Sequence, residues 1–403
     1  MSTSSVPPPL EHVDFSSLPW NLNLPSNNYY VLIKTTNVWT TEHYELETDS
    51  GSLLTSIYSY EKHPLDFHPA TTSLNYGTTV WEGLKCYRRS DDQAVVFRAD
   101  RNYERMKKGA EEMCLPMPDK ATFMRAIQLV VQANKALIPP MGEGMKLYVR
   151  PMLLGTGQQL GLYPSPETTF LVYVSPTGNY FKGASAGLNL HVETRRARAA
   201  RGGLGAIKCS SNYAITMKPL VDCKKQGFMD NLFLEMETYK DGELEQAKVQ
   251  ELSAANVFLV LKTGEIVTPA LNRGTILPGV TRETVLQLIT LHAQELSDAM
   301  EESTGQRDAT ASSRDVSLGE FKNATEAFCT GTAAELVPIA RLSTGDDEDS
   351  FEVVFPYGQT LPGGPITTAL LKLLRQAMVG DCDKTADLGW LRDPFALSIT
   401  FCE

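Results

Sequence analysis

The feature that most restricts what this chain can fold into is the alternation of short apolar strand segments with helical segments along most of its 403 residues. Residues 30–34, 95–98, 146–150 and 170–174 read as strands, because β-branched and aromatic residues run together there between turn-forming residues. Asp100 is placed to cap a helix through Glu111, and residues 121–137 repeat their apolar positions at helical spacing. A second series follows, with strands around 188–192, 231–235 and 257–261 and helices over 212–226 and 280–296. The pattern predicts a mixed α/β (α+β) fold. A chain of this length with 42% hydrophobic residues has enough material for two domains, each with its own core. Glycines and small residues gather at 178–187 between two apolar strands, so the boundary is expected near residue 183, with domains 1–182 and 183–403.

Three stretches fall outside this alternation. Residues 1–28 are rich in serine, proline and asparagine and predict a loose arm over the surface, with regular structure beginning near Tyr29. Residues 301–313 are polar and poor in apolar side chains, which predicts a mobile surface insertion. Asp346-Asp-Glu-Asp349 reads as a solvated acidic loop.

The chemistry centres on Leu204-Gly-Ala-Ile-Lys208-Cys-Ser-Ser-Asn-Tyr213. Lys208 follows the apolar pair Ala206-Ile207, where a partly desolvated ammonium loses its proton more readily and can serve as a Schiff-base amine. A second element is Leu277-Pro-Gly-Val-Thr-Arg282, a glycine turn opening into a helix whose first amides point outward and suit an anion. Val280 and Thr281 would donate there.

These motifs do not stand alone. Gly205-Ala-Ile-Lys208 with Asn212-Tyr213, Tyr76-Gly-Thr-Thr-Val-Trp81-Glu-Gly-Leu-Lys85, Val96-Phe-Arg98, Leu147-Tyr-Val-Arg-Pro151, Leu277-Pro-Gly-Val-Thr-Arg282 and Gly331-Thr-Ala333 occur in an order and spacing that resembles the branched-chain amino acid aminotransferases, which are fold-type IV pyridoxal phosphate enzymes. The resemblance covers roughly residues 60 to 375. It implies a smaller N-terminal α/β domain and a larger C-terminal pseudo-barrel domain. It also implies transfer of the amino group between leucine, isoleucine, valine or a related hydrophobic L-amino acid and 2-oxoglutarate. The alternative within the fold is a relative acting on D-amino acids, amines, aminodeoxychorismate or a specialised oxo acid.

The resemblance also assigns roles. Lys208 is the catalytic amine and proton carrier. Glu251 partners the ring nitrogen of pyridoxal 5′-phosphate and Tyr213 its ring oxygen, while Arg98, Val280, Thr281 and Thr332 hold its phosphate. Tyr76, Trp81, Lys85, Tyr148, Arg150 and Tyr180 wall the substrate pocket, and the turn at Ala333 holds the substrate α-carboxylate. Trp81 stands where many members have phenylalanine, and Ala254 where some have threonine. A homodimer is implied as well.

Composition limits the other possibilities. The formal charge of −11 argues against a nucleic-acid partner, and the short basic run from Arg195 to Arg201 reads as a solvated loop leading toward Lys208. Seven scattered cysteines without a Cys-x-x-Cys pair suggest neither a disulfide framework nor a zinc site, and fit a reducing compartment; no metal is expected. The first residues lack an apolar signal core and the first arginine is Arg88, which predicts a cytoplasmic protein. No apolar run approaches the roughly 20 residues needed to cross a bilayer, so no membrane association is expected.

Overall fold

The structure, a computed structural model, describes residues 6–11, 13–19, 29–35, 57–59, 65–142, 144–178, 186–240, 242–345 and 350–395. The elements β1 (Tyr29–Thr35), β2 (Ile57–Ser59), α1 (Thr72–Tyr76), β3 (Thr79–Trp81), β4 (Leu84–Arg88), β5 (Ala94–Phe97), α2 (Ala99–Glu112), α3 (Lys120–Ala133), β6 (Lys146–Gly155) and β7 (Thr168–Thr177) come first. They are followed by β8 (Leu188–Glu193), α4 (Ser211–Lys225), β9 (Asp230–Leu234), β10 (Val249–Leu252), β11 (Asn256–Leu261), β12 (Glu265–Pro269), α5 (Val280–Leu291), α6 (Ser297–Thr304), β13 (Thr310–Arg314), β14 (Ala324–Gly331), β15 (Glu335–Ser343), β16 (Glu352–Val354), α7 (Pro365–Val379) and β17 (Leu391–Arg392). The chain separates into two compact units. One comprises Met1–Lys182, Ile207–Ser210 and Met378–Glu403, and the other Gly183–Ala206 and Ser211–Ala377.

The first unit is built on an antiparallel sheet in the order β17-β5-β4-β6-β7-β1-β2, with β3 also on β6. Its centre is the pair of ten-residue strands β6 and β7, whose apolar and β-branched residues are buried almost throughout. Pro151 sits in this central strand, where a missing N–H would ordinarily break a ladder. It is tolerated because β4 pairs with Leu147–Val149 and β3 with Met152–Leu154, so the proline falls at the handover between two partners. The Glu82 amide still donates to its carbonyl at 2.8 Å. One flank of the core is closed by α2 and α3, with Phe123 packed 5.4 Å from Tyr103 and 5.8 Å from Phe170.

The second unit holds a nine-stranded mixed sheet in the order β10-β9-β8-β15-β14-β11-β12-β13, with β16 on β15. The pairs β8–β9, β8–β15 and β12–β13 are parallel and the others antiparallel. Although β10 ends one edge of that order, it also lies against β11 and β12, so the sheet curls into a half barrel. Phe258 and Phe328 stack 5.0 Å apart across β11 and β14, while α5 and α6 cover β14.

Three sequence expectations about the fold are corrected. Asp100 does not cap α2: the N-cap is Arg98, without a side-chain cap bond, and Asp100 lies in the first turn. Within the N-terminal arm, residues 6–11 and 13–19 are packed rather than loose, with Val6 and Phe15 buried. Prolines have no amide to donate, but their segment's carbonyls accept: buried Arg88 donates to the carbonyls of Val6 at 3.3 Å and Pro7 at 2.8 Å. The polar stretch 301–313 is not a mobile insertion, since it completes α6 and supplies most of β13, which pairs in parallel with β12. Ion pairs replace apolar burial here, with Arg307 holding Asp298 and Glu301 at 2.7 Å and Arg314 bridging Glu265 and Glu320. The acidic loop 346–349 and residues 179–185 of the glycine-rich stretch lie outside the described residues.

Candidate active site

In the first unit, Lys208 is carried by Ile207–Ser210, a four-residue excursion into this unit that pairs with β3. The Trp81 amide donates to the Lys208 carbonyl at 3.1 Å, and the Ser210 amide donates to the Thr79 carbonyl at 3.1 Å. Two hydrogen bonds to a sheet strand fix the backbone, so the half-buried side chain is aimed by a rigid element. Its Nζ stands 4.1 Å from the centroid of the Trp81 ring. The Arg150 guanidinium lies 4.1 Å from the same ring and 5.0 Å from that of Tyr148, whose hydroxyl accepts from Arg150 Nη2 at 2.9 Å. Burial raises the Tyr148 pKa, and the Arg150 charge opposes that rise. Gly83 is required beside it, since a Cβ there would lie 2.0 Å from the Tyr148 hydroxyl.

The strand segment carrying Trp81 is anchored by its neighbour. Glu82 is fully buried and takes Arg105 in a fork, Nε to Oε1 and Nη2 to Oε2 at 2.7 Å each, with Asn102 donating at 2.7 Å. Asn102 and Arg105 belong to α2, and Arg98 is the N-cap of that helix, with φ 51° and ψ 39°. Lys85 is buried opposite Tyr148, with its Nζ 5.9 Å from the Tyr87 ring. Tyr76 is exposed and its hydroxyl donates to the Leu160 carbonyl, which places it on the loop side of α1. Tyr180 lies outside the described residues.

In the second unit, buried Glu251 ends up where three stretches meet. Its Oε1 takes Arg198 Nη2 at 2.8 Å and the Leu277 amide at 2.9 Å, and its Oε2 takes Asn256 Nδ2 at 2.9 Å. That donor set suits a carboxylate anion. Asn256 also donates to the Leu277 carbonyl at 3.0 Å, so the hairpin bearing Glu251 and the turn before α5 are tied together. Gly279 caps α5 without a side-chain bond, and a Cβ there would lie 2.0 Å from Asn256 Oδ1. Val280 and Thr281 are buried in the first turn, where helix geometry leaves amides without intrahelical partners. Thr332 and Ala333 form the turn from β14 to β15, closed by Glu335 at φ 62° with its carboxylate accepting from Arg375 Nε at 3.1 Å. Tyr213 begins α4 half-buried, and its carbonyl accepts from Thr216.

A family profile for amino-transferase class IV matches residues 79–342. The chain belongs to the class IV aminotransferases. Among relatives of this class IV aminotransferase is branched-chain-amino-acid aminotransferase 5, chloroplastic, of Arabidopsis thaliana. It is 42% identical over 70% of this chain, which spans 64% of that relative's length, a little under two thirds. Branched-chain-amino-acid aminotransferase 6 of the same plant is 38% identical over 82% of both chains. The T.th. branched-chain amino acid aminotransferase complexed with N-(5′-phosphopyridoxyl)-L-glutamate has the same fold, with TM-score 0.66 at 21% identity, over 84% of this chain and 96% of that one.

Several residues that the sequence reading of this aminotransferase passed over are part of the arrangement. Arg198 was expected in a solvated loop, yet it is buried against Glu251 and donates to the Thr275 carbonyl at 3.0 Å; only Arg195, Arg196 and Arg201 of that run are largely exposed. The available signal was chemical, since a buried acid needs a cation from somewhere and one basic run precedes Lys208. Asn256 carries a weaker signal, five residues after Glu251 across a hairpin turn. Glu82 lies within the motif 76–85, but nothing local points to Asn102 and Arg105 as its partners. Among the described cysteines, all of them free, burial pushes Cys86 and Cys329 up to about 12 and Cys223 to about 11, so these thiols are inert at neutral pH. No helix among the described residues is long and apolar enough to cross a membrane.

Proposed function

We propose that this class IV aminotransferase moves the amino group between a branched-chain or related hydrophobic L-amino acid and 2-oxoglutarate, with pyridoxal 5′-phosphate as cofactor. The relatives' names support the substrate class, and the phosphopyridoxyl-glutamate of the T.th. protein supports the cofactor and the acidic partner substrate. The observation that carries the reading is the fixing of Lys208 on β3, with its amine at the Trp81 ring beside Arg150 and Tyr148.

The residues present fit that cofactor. The first turn of α5 offers amides to an anion, and the glycine before it admits no side chain. Thr330 Oγ1, one residue before the Gly331 turn, is buried without a partner among the described residues. Val280, Thr281, Thr332 and Arg98 are the proposed phosphate holders. When bound, the cofactor supplies an aldehyde for an amine and a ring that accepts an electron pair. Lys208 Nζ would be that amine and, once substrate displaces it, would carry the proton from the substrate Cα to the cofactor carbon that bore the aldehyde, and in the return half-cycle from that carbon to the Cα of the second substrate. Glu251, fixed by Arg198 and Asn256, would hold the proton at the ring nitrogen, and Tyr213 would donate to the ring oxygen. Trp81, Lys85, Tyr148, Arg150, Tyr76 and Tyr180 receive the substrate side chain, with the amide of Ala333 for its α-carboxylate. Protein loaded with cofactor should lose its visible absorption band on addition of L-leucine and regain it with 2-oxoglutarate. A spectrum unmoved by both would overturn the substrate class.

We also propose a homodimer in a reducing compartment, the cytosol. Leu160, Leu162 and Tyr163 are 85%, 80% and 73% exposed, a run of apolar side chains that a second copy would cover. Leu160→Glu with Leu162→Glu should halve the mass seen by light scattering, and a single-chain mass in the unsubstituted protein refutes the dimer. The free cysteines support the compartment. A fluorescent fusion that enters chloroplasts, where the first relative's name places that protein, would correct it.

A further inference from the structure

We infer that Trp390 is a positioning residue for Arg98, so that the C-terminal strand sets how firmly the chain holds the cofactor phosphate; this rests on the phosphate role proposed for Arg98. Two contacts reach that arginine from Trp390, and the two residues after Trp390 pair with the two before Arg98. The Arg98 guanidinium carbon lies 4.7 Å from the centroid of the Trp390 ring, which suits cation–π stacking. The Arg98 amide donates to the Trp390 carbonyl at 2.6 Å. Leu391 and Arg392 pair with Phe97 and Val96, the residues just before Arg98.

The backbone explains why such a clamp is needed. Arg98 is in the left-handed region, which disfavours residues with a Cβ, so the conformation persists only where the surroundings impose it. The bond from its amide to the Trp390 carbonyl is such an imposition, and it turns the guanidinium out of the line of β5 at the start of α2. Trp390 is itself held. It follows Gly389 at φ 64° and is buried, with its indole edge-on to Phe97 at 6.0 Å, and Gln132 of α3 donates to the Pro394 carbonyl at 2.6 Å. A flat ring keeps the arginine oriented without neutralising it, whereas a carboxylate in that place would compete with a phosphate.

The test compares two probes on the full-length apoprotein, pyridoxal 5′-phosphate and pyridoxal, which lacks the phosphate. Trp390→Ala should weaken binding of the phosphorylated form by about five- to thirtyfold, as expected for loss of a partly desolvated cation–π contact, and leave pyridoxal binding unchanged. Trp390→Phe retains a smaller ring and should lose only a few-fold on the same probe; it carries the test if the alanine variant does not fold. In an Arg98→Ala background, the Trp390 substitution should cost nothing further. Equal weakening of both probes, or an undiminished loss in the Arg98→Ala background, means that Trp390 acts through general stability and overturns the inference. If the unsubstituted protein binds the phosphorylated probe no better than pyridoxal, the proposed phosphate site itself fails.

Discussion

Each unit buries a carboxylate against an arginine and an asparagine, and the two are built to different ends. Glu82 draws its arginine and asparagine from a single helix, α2, with the fork geometry of Arg105 covering both oxygens. Glu251 draws on three stretches: Arg198 from the loop before Lys208, Asn256 from β11, and the Leu277 amide from the turn before α5. The first arrangement fastens one strand to one helix. The second is a crossing point at which the loop leading to Lys208, the β10–β11 hairpin and the turn before α5 share one side chain. The contrast predicts that Glu82 matters to stability and Glu251 to chemistry.

The largest effect is expected at Glu251. Glu251→Gln keeps the shape but loses the charge, and should lower kcat by about 10²- to 10⁴-fold while unfolding near the unsubstituted denaturant midpoint. Single-turnover kinetics checks it; a change confined to apparent substrate affinity would remove Glu251 as ring partner. Next comes Glu82→Ala, which strands the buried Arg105 and should cost about 3 to 5 kcal/mol in urea unfolding. Its folded fraction should keep nearly full turnover per active site. If instead stability holds and turnover collapses, the two carboxylates have been given each other's roles.

Arg198→Lys sharpens the comparison. A point charge cannot serve both Glu251 and the Thr275 carbonyl as the planar fork does, so kcat should fall by about tenfold. Combined with Glu251→Gln the loss should be far less than additive, and full additivity would separate the two residues. The smallest effect is expected at Trp81. The indole touches both Lys208 and Arg150, so Trp81→Phe should shift the leucine-to-glutamate ratio of kcat/KM several-fold, about 1 kcal/mol. Since Arg150 is stacked on that ring, the efficiency with glutamate should fall as well. Paired-substrate competition measures this, and unchanged ratios mean that Trp81 does not bound the side-chain pocket.

Much of this arrangement was legible before folding, and the parts that were not share a cause. The turn Leu277-Pro-Gly-Val-Thr opens a helix through local backbone chemistry alone, and the strands around 146–150, 170–174 and 257–261 follow from their run of residues. The stretch 301–313 was misread because its order comes from Arg307, Arg314 and a parallel partner strand rather than from apolar burial. Residues 6–11 and 13–19 differ from the expected loose arm because the carbonyls of Val6 and Pro7 accept from Arg88, far along the chain.

The sequence by itself determined the family and the alternation of elements. Each of these is written in neighbouring residues, where steric preference and periodicity act over a few positions. Only the tertiary structure decided which partner each buried charge receives: Arg198 for Glu251, Arg105 for Glu82, Trp390 for Arg98. Charge pairing and ring stacking have no period along a chain. They depend on which segments the sheets bring side by side, and a buried ion without its partner costs too much for the fold to leave the matter open.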